Sequence, residues 1–224
     1  MVKINIVGVG PGSPDYVTPA ARKAVQSAQL VIGAQRSLNL FTGDIKGETI
    51  VLTAKNLRNA LESAAGSAAK GFEVALLSTG DPGFSGLLHT VLESGLFNIE
   101  EINVVPGVSS IQACAAKLAI SWDNALLFTF HEGNVTDDEK QVLDFAVSTG
   151  QDIILLPDSK AFSPRGISNY LIKSGAGKDT PVYVCENLTL PEEKIISGTL
   201  EEFSKRTFGS LSVMVIKATE KLSE

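Results

Sequence analysis

Short apolar runs alternate with longer stretches of helical spacing through the first half of the chain, and no other feature narrows the fold as much. Residues 3–7, 30–32, 49–52, 73–77 and 102–105 carry the aliphatic and β-branched residues of buried strands. Between them, residues 18–28 predict a helix with Thr18 as N-cap and Pro19 at the first helical position. In residues 56–70, Leu57, Ala60, Leu61, Ala64, Ala65 and Ala68 follow the i, i+3, i+4 spacing of one buried helix face. Residues 86–94 and 109–118 predict two more helices, the last capped by Ser109 or Ser110. Such alternation implies a mostly parallel sheet with helices on both faces. Ligands of these sheets bind beyond the carboxyl ends of the strands, which directs attention to the loops after Val9, Leu77 and Val105.

The second half is patterned differently. Residues 152–156, 181–185, 194–198 and 211–216 predict strands, with little helix among the last three, so a mixed sheet is expected. The fold class is α/β in two domains, residues 1–119 and 120–224. No internal repeat or low-complexity segment occurs.

The formal net charge of −6 argues against a nucleic-acid partner, because a phosphate backbone is met by clustered Lys and Arg. Cys114 and Cys185 allow at most one bridge, not a disulfide framework. With no C-x-x-C pair and only His89 and His131, no metal site is expected. No apolar run approaches the ~18 residues of a membrane span. The strand-like start lacks the charged region and cleavage site of a signal peptide. A reduced, cytoplasmic protein is the expectation.

The first loop reads Gly8-Val9-Gly10-Pro11-Gly12-Ser13-Pro14-Asp15. A dinucleotide fingerprint would need a third Gly where Ser13 stands, and an acidic residue at the end of the second strand. Between Asp15 and Asp44 there is neither Asp nor Glu, so NAD and FAD are set aside. The second loop, Ser78-Thr79-Gly80-Asp81-Pro82-Gly83-Phe84-Ser85-Gly86, places a carboxylate at the sheet edge. Asp81 could face a cofactor or cap its own turn. Gly83-Phe84-Ser85-Gly86 is one residue short of a nucleophile elbow, which removes acyl transfer by Ser85. The third loop is Pro106-Gly107-Val108-Ser109-Ser110. Each loop can be a plain turn, but three Gly-rich loops at strand ends in one half of a chain point together to a ligand.

These loops, in this order, resemble the tetrapyrrole methylase family: Gly8 to Gly12, then Gly80-Asp81-Pro82, then Pro106 to Ser110. The resemblance covers essentially the whole chain. Within the family, Val31-Ile32-Gly33-Ala34-Gln35-Arg36, Thr79 to Gly86, Ser109-Ser110-Ile111-Gln112 and Leu118-Ala119-Ile120-Ser121-Trp122-Asp123 followed by His131 are similar to the branch that methylates carbon 5 of cobalt-precorrin-7. Departures stand at Ser85, where that branch often has an aromatic residue, at Lys117, where it often has Arg, and at Glu132, inside an otherwise His-Gly pair.

The resemblance implies S-adenosylmethionine as cofactor, a cleft between the domains to hold it, a corrin precursor as acceptor, and a homodimer. It implies cofactor contacts at Gly10, Pro11, Gly12, Gly80, Asp81, Pro82, Phe84, Ser109 and Ser110, and in the second domain at Glu186, Asn187 and Leu188. The family's bifunctional carbon-5,15 enzymes need a further C-terminal domain. The chain is expected to carry only the carbon-5 step, with carbon 15 left to a separate protein.

A sulfonium methyl is already a strong electrophile, so the protein's task is alignment of carbon, methyl and sulfur. One proton must still be managed, and Asp81 and His131 are the candidate groups. Arg36 and Lys117 are candidates for meeting the acceptor's carboxylates, with Arg58 a further possibility; solvated surface charge is the plain alternative for each. Trp122 and the Phe residues are expected in the core. Other readings are a family member with a different acceptor, or a non-catalytic module that binds the cofactor or a corrinoid.

Overall fold

The computed structural model describes residues 4–130 and 135–218. Contacts divide the chain into two compact units, Met1–Ser109 and Ser110–Glu224.

In the first unit, β1 (Ile4–Gly8), β2 (Leu30–Gly33), β3 (Glu48–Val51), β4 (Val74–Ser78) and β5 (Ile102–Val105) form one sheet in the order β3-β2-β4-β1-β5. Every pairing is parallel. Parallel neighbours need crossover connections, and α1 (Pro19–Ser27), α2 (Gln35–Asn39), α3 (Leu57–Ala69) and α4 (Leu87–Glu93) lie in them. The period-2 alternation of the strands sorts the core into two layers. Val7, Val31, Ala75 and Leu77 pack with Val17, Ala21 and Val25 on one face. Ile4, Ile6, Ile32, Val74 and Leu76 pack with Ala60, Leu61, Ala64 and Ala68 on the other. The predicted buried stripe of α3 is therefore present, with Leu57 and Ala65 half-buried at its margins. Helix α1 starts as the sequence indicates, with the Thr18 hydroxyl accepting from Ala21 N at 3.1 Å and Pro19 opening the helix.

The second unit contains α5 (Ser110–Lys117), β6 (Leu126–Thr129), α6 (Asp137–Ser148), β7 (Ile153–Leu156), α7 (Pro164–Lys173), β8 (Pro181–Glu186), β9 (Lys194–Thr199), α8 (Leu200–Phe203) and β10 (Ser212–Ile216). Its sheet runs β6-β7-β10-β8-β9, with β6 parallel to β7 and every other pair antiparallel. The mixed sheet is the one the sequence indicates. Helix α5 packs on β7 and β10, so contacts place it with the second unit; the sequence reading sets the division at 119/120.

Five elements escaped that reading, α2, β6, α6, α7 and α8, and the last three carry local cap signals. Helix α6 opens on a capping box between Thr136 and Glu139, and α7 on the N-cap Ser163 followed by Pro164. Strand β6 is short and only half-buried, which gives it no clean alternation. Trp122 is 40% exposed and belongs to no core cluster, and Phe72 and Phe145 are exposed too, contrary to expectation. Trp122 stands in the turn-rich segment before β6, where no sheet face covers it. Among the described residues no helix is long and apolar enough to cross a membrane.

Candidate functional site

The strand order makes neighbours of the loops that the sequence keeps apart. Strands β4, β1 and β5 are adjacent and parallel, so the three Gly-rich loops leave the sheet side by side at their carboxyl ends. The first two are sewn together by backbone. Val9 N donates to Ser78 O at 3.0 Å and Gly80 N to Gly10 O at 2.8 Å, an isolated antiparallel bridge beyond the parallel strands. Gly10 reaches it with φ of 83°, in the left-handed region that glycine enters freely.

The second and third loops are joined by Asp81. Its Oδ1 accepts from Gly83 N at 2.8 Å, closing its own turn. Its Oδ2 accepts from Gly107 N at 3.0 Å, holding the start of the third loop. Asp81 thus both caps its turn and fixes a neighbouring loop, and backbone N–H groups supply both partners. First and third loops approach with no room for side chains: a Cβ on Gly107 would lie 2.4 Å from Gly80 O, and one on Gly8 would lie 2.5 Å from Gly107 N. These two glycines are required by close backbone approach, which nothing in their spacing announces.

Side chains finish the edge. The buried Ser78 hydroxyl accepts from Leu87 N at 3.1 Å, tying the end of β4 to the start of α4. Arg36, exposed on α2, donates to the Thr79 hydroxyl at 3.3 Å, so one predicted acceptor contact stands beside the second loop. Pro82 is buried, Phe84 and Pro11 half-buried, and Ser109 buried. Ser85 takes φ of 54°, the sort of local strain that concentrates at functional sites. Arg58 pairs with Glu62 on the exposed face of α3.

In the second unit, Ser110 opens α5, and Glu186, Asn187 and Leu188 leave the end of β8. Glu186 accepts from Gly209 N, Asn187 has φ of 51°, and Leu188 is buried. Lys117 lies at the end of α5 in an ion pair with Glu193, Nζ to Oε1 at 2.7 Å. The Lys117 ammonium and the Thr189 N–H hold the Glu193 carboxyl below its ordinary range. The two cysteines also meet here as free buried thiols, Cys114 donating to Cys185 Sγ at 3.5 Å. That bond and burial push the Cys114 thiol well up. His131 lies outside the described residues. Among those described, no cluster of His, Cys, Asp and Glu could hold a metal ion.

The profile of the Tetrapyrrole (Corrin/Porphyrin) Methylases matches residues 3–204. The chain belongs to this family. It is 37% identical over 98% of its length, and 100% of the relative's, to a probable cobalt-precorrin-7 C(5)-methyltransferase of Methanocaldococcus jannaschii. It is 28% identical to the cobalt-precorrin-7 C(5)-methyltransferase of Salmonella typhimurium, covering 86% of this chain and 88% of that one. In fold it resembles the uroporphyrin-III C-methyltransferase of Thermus thermophilus solved with S-adenosylhomocysteine, at a TM-score of 0.74 and 21% identity over 96% of this chain and 97% of that one.

For a tetrapyrrole methylase the donor set of the first unit is chemically apt. It offers a carboxylate (Asp81), hydroxyls (Thr79, Ser109) and peptide groups of glycine-rich backbone. Such groups can hydrogen-bond a nucleoside and an amino-acid head. Glu193 and the Gly8–Gly107 contact are absent from the sequence-derived site. Glu193 lies 76 residues from Lys117, and no local pattern links the two.

Proposed function

We propose that this chain transfers the methyl group of S-adenosylmethionine to carbon 5 of cobalt-precorrin-7, a step in cobalamin biosynthesis. The observation that carries the acceptor is the end-to-end likeness to the M. jannaschii relative, the whole of which is matched. The three converging loops support the cofactor half of the reading.

The cofactor supplies an activated methyl group that an electron-rich ring carbon can attack in line. The chain's part is positional. Asp81 holds the second and third loops in register through its two backbone hydrogen bonds. In the first unit Gly10, Pro11, Gly12, Gly80, Pro82, Phe84 and Ser109 then offer backbone and hydroxyl contacts to the cofactor; the family resemblance adds Ser110, Glu186, Asn187 and Leu188 as candidate contacts within the second unit. Arg36, already at the second loop, has the charge to receive an acceptor carboxylate. Its fork geometry would fix the orientation of the ring. His131 is assigned the proton released as ring conjugation changes, since imidazole exchanges protons near neutral pH. The family resemblance also supports a homodimer.

The test is to incubate the protein with methyl-13C S-adenosylmethionine and cobalt-precorrin-7, and to locate the label by carbon NMR. Label on carbon 5 supports the assignment. Label on another ring carbon would keep the methyltransferase and replace its position; a relative acting at carbon 11 is 29% identical over 91% of this chain. No transfer, with no saturable binding of S-adenosylhomocysteine in a calorimeter, would sink both halves.

A further inference from the structure

The segment that follows β8 is held in an unfavourable conformation by backbone bonds together with a carboxylate. Asn187 and Thr189 both lie in the left-handed region, at φ of 51° and 67°, and a β-branched threonine seldom adopts that conformation. Two backbone bonds set the turn: Asn187 N donates to Leu211 O at 2.9 Å and Leu190 N to Asn187 O at 3.0 Å. The Thr189 N–H turns instead to the Glu193 side chain, Oε2 at 2.7 Å. The other oxygen, Oε1, takes the Lys117 ammonium at 2.7 Å. Both oxygens of Glu193 are therefore committed, one to the strained turn and one to the end of α5.

The same helix also meets β8 itself. Cys114 lies three residues before Lys117, on the same face of α5, and meets Cys185, the residue before Glu186. Helix α5 thus meets β8 through the thiol pair and the segment after β8 through the ion pair. Its first residue is Ser110.

We propose that Glu193 is a positioning residue of the cofactor site. It locks residues 186–189 to α5, and so fixes the spacing between Ser110 at one end of that helix and Asn187 and Leu188 beyond the other. This rests on the reading that Ser110 and residues 186–188 contact S-adenosylmethionine.

The experiment uses the full chain with S-adenosylhomocysteine as probe. Calorimetric affinity, thermal midpoint and amide exchange across residues 186–190 are measured for wild type, Glu193→Ala, Glu193→Gln, Lys117→Met and the control Glu201→Ala. In wild type the probe should slow exchange at residues 186–190. Glu193→Ala should weaken binding about tenfold, the scale of a lost charge-assisted hydrogen bond. Glu193→Gln keeps an acceptor for Thr189 N–H and should recover most of that loss. Glu201→Ala breaks an exposed pair with Lys205 and should leave affinity unchanged. Should Glu193→Ala not fold, Lys117→Met carries the test, with a smaller loss of affinity expected. Wild-type affinity in the folded Glu193 and Lys117 variants, with residues 186–190 still protected by the probe in wild type, would overturn the proposal alone. Tight binding without protection of residues 186–190 in wild type would instead remove the contact reading on which it rests.

Discussion

The two units organise their functional loops by different means. In the first, three loops leave adjacent parallel strands and are joined mostly by backbone, with glycines at Gly8 and Gly107 in contact closer than any side chain permits. In the second, the corresponding segment follows an antiparallel strand, and its backbone bonds are supplemented by side chains, Glu193, Lys117 and Glu186. A backbone-built edge is all-or-nothing, because an added methyl must displace main chain. A side-chain-built edge is graded, because a truncated side chain can be replaced in part by water or a neighbour.

The largest test of that contrast is Gly107→Ala. The new Cβ would meet Gly80 O at 2.4 Å and Gly8 backbone at 2.7 Å, so the loops must separate. A loss of about 2–3 kcal/mol in urea unfolding is expected, the upper range for overpacking, together with loss of S-adenosylhomocysteine binding. Normal binding by this variant would show that the edge yields more readily than its geometry implies.

Asp81→Ala is next. It strands the N–H groups of Gly83 and Gly107, and should cost about 2 kcal/mol and more than tenfold in probe affinity. Asp81→Asn keeps one acceptor and should retain about half of that stability. Equal effects of the two variants would point to charge rather than loop registration as the function of Asp81.

Thr136→Ala should cost about 1 kcal/mol by opening the capping box of α6, with probe affinity unchanged. A change in affinity would mean that the site depends on the packing of α6.

The smallest effect on stability belongs to Lys117→Met: at most about 1 kcal/mol at neutral pH, since the pair is partly exposed. Its pH dependence has a definite sign. Lys117 lowers the folded pKa of Glu193, so the folded chain binds that proton more weakly than the unfolded chain. The contribution is complete above the ordinary glutamate value of 4.5 and is lost as pH falls through the lowered one. Urea melts of wild type and variant should therefore converge in acid. A constant gap would assign the effect to packing of the lysine stem.

Much of this was legible locally. The strands of the first unit, the Thr18 cap and the buried stripe of α3 follow from spacing over a few residues, and the loop motifs carry the family. Helices α6 and α7 were legible too, in Thr136–Glu139 and Ser163-Pro164; in α6 the exposed Val142 and Phe145 blur the apolar face. Trp122 shows the limit of residue type as a guide: a large aromatic ring lies in the core only where a sheet or helix face is there to cover it.

Sequence by itself determined most of the elements, the Thr18 cap, the α/β class and the three glycine-rich loops, because period and capping are properties of neighbouring residues. Only the tertiary structure decided which loops meet. Asp81 reaches Gly107 because β1 lies between β4 and β5, with 26 residues separating the pair along the chain. Glu193 reaches Lys117 across 76 residues because α5 packs beside the strands of the second sheet. Contacts of that kind are set by strand order and packing, which depend on the whole fold and leave no local trace in the chain.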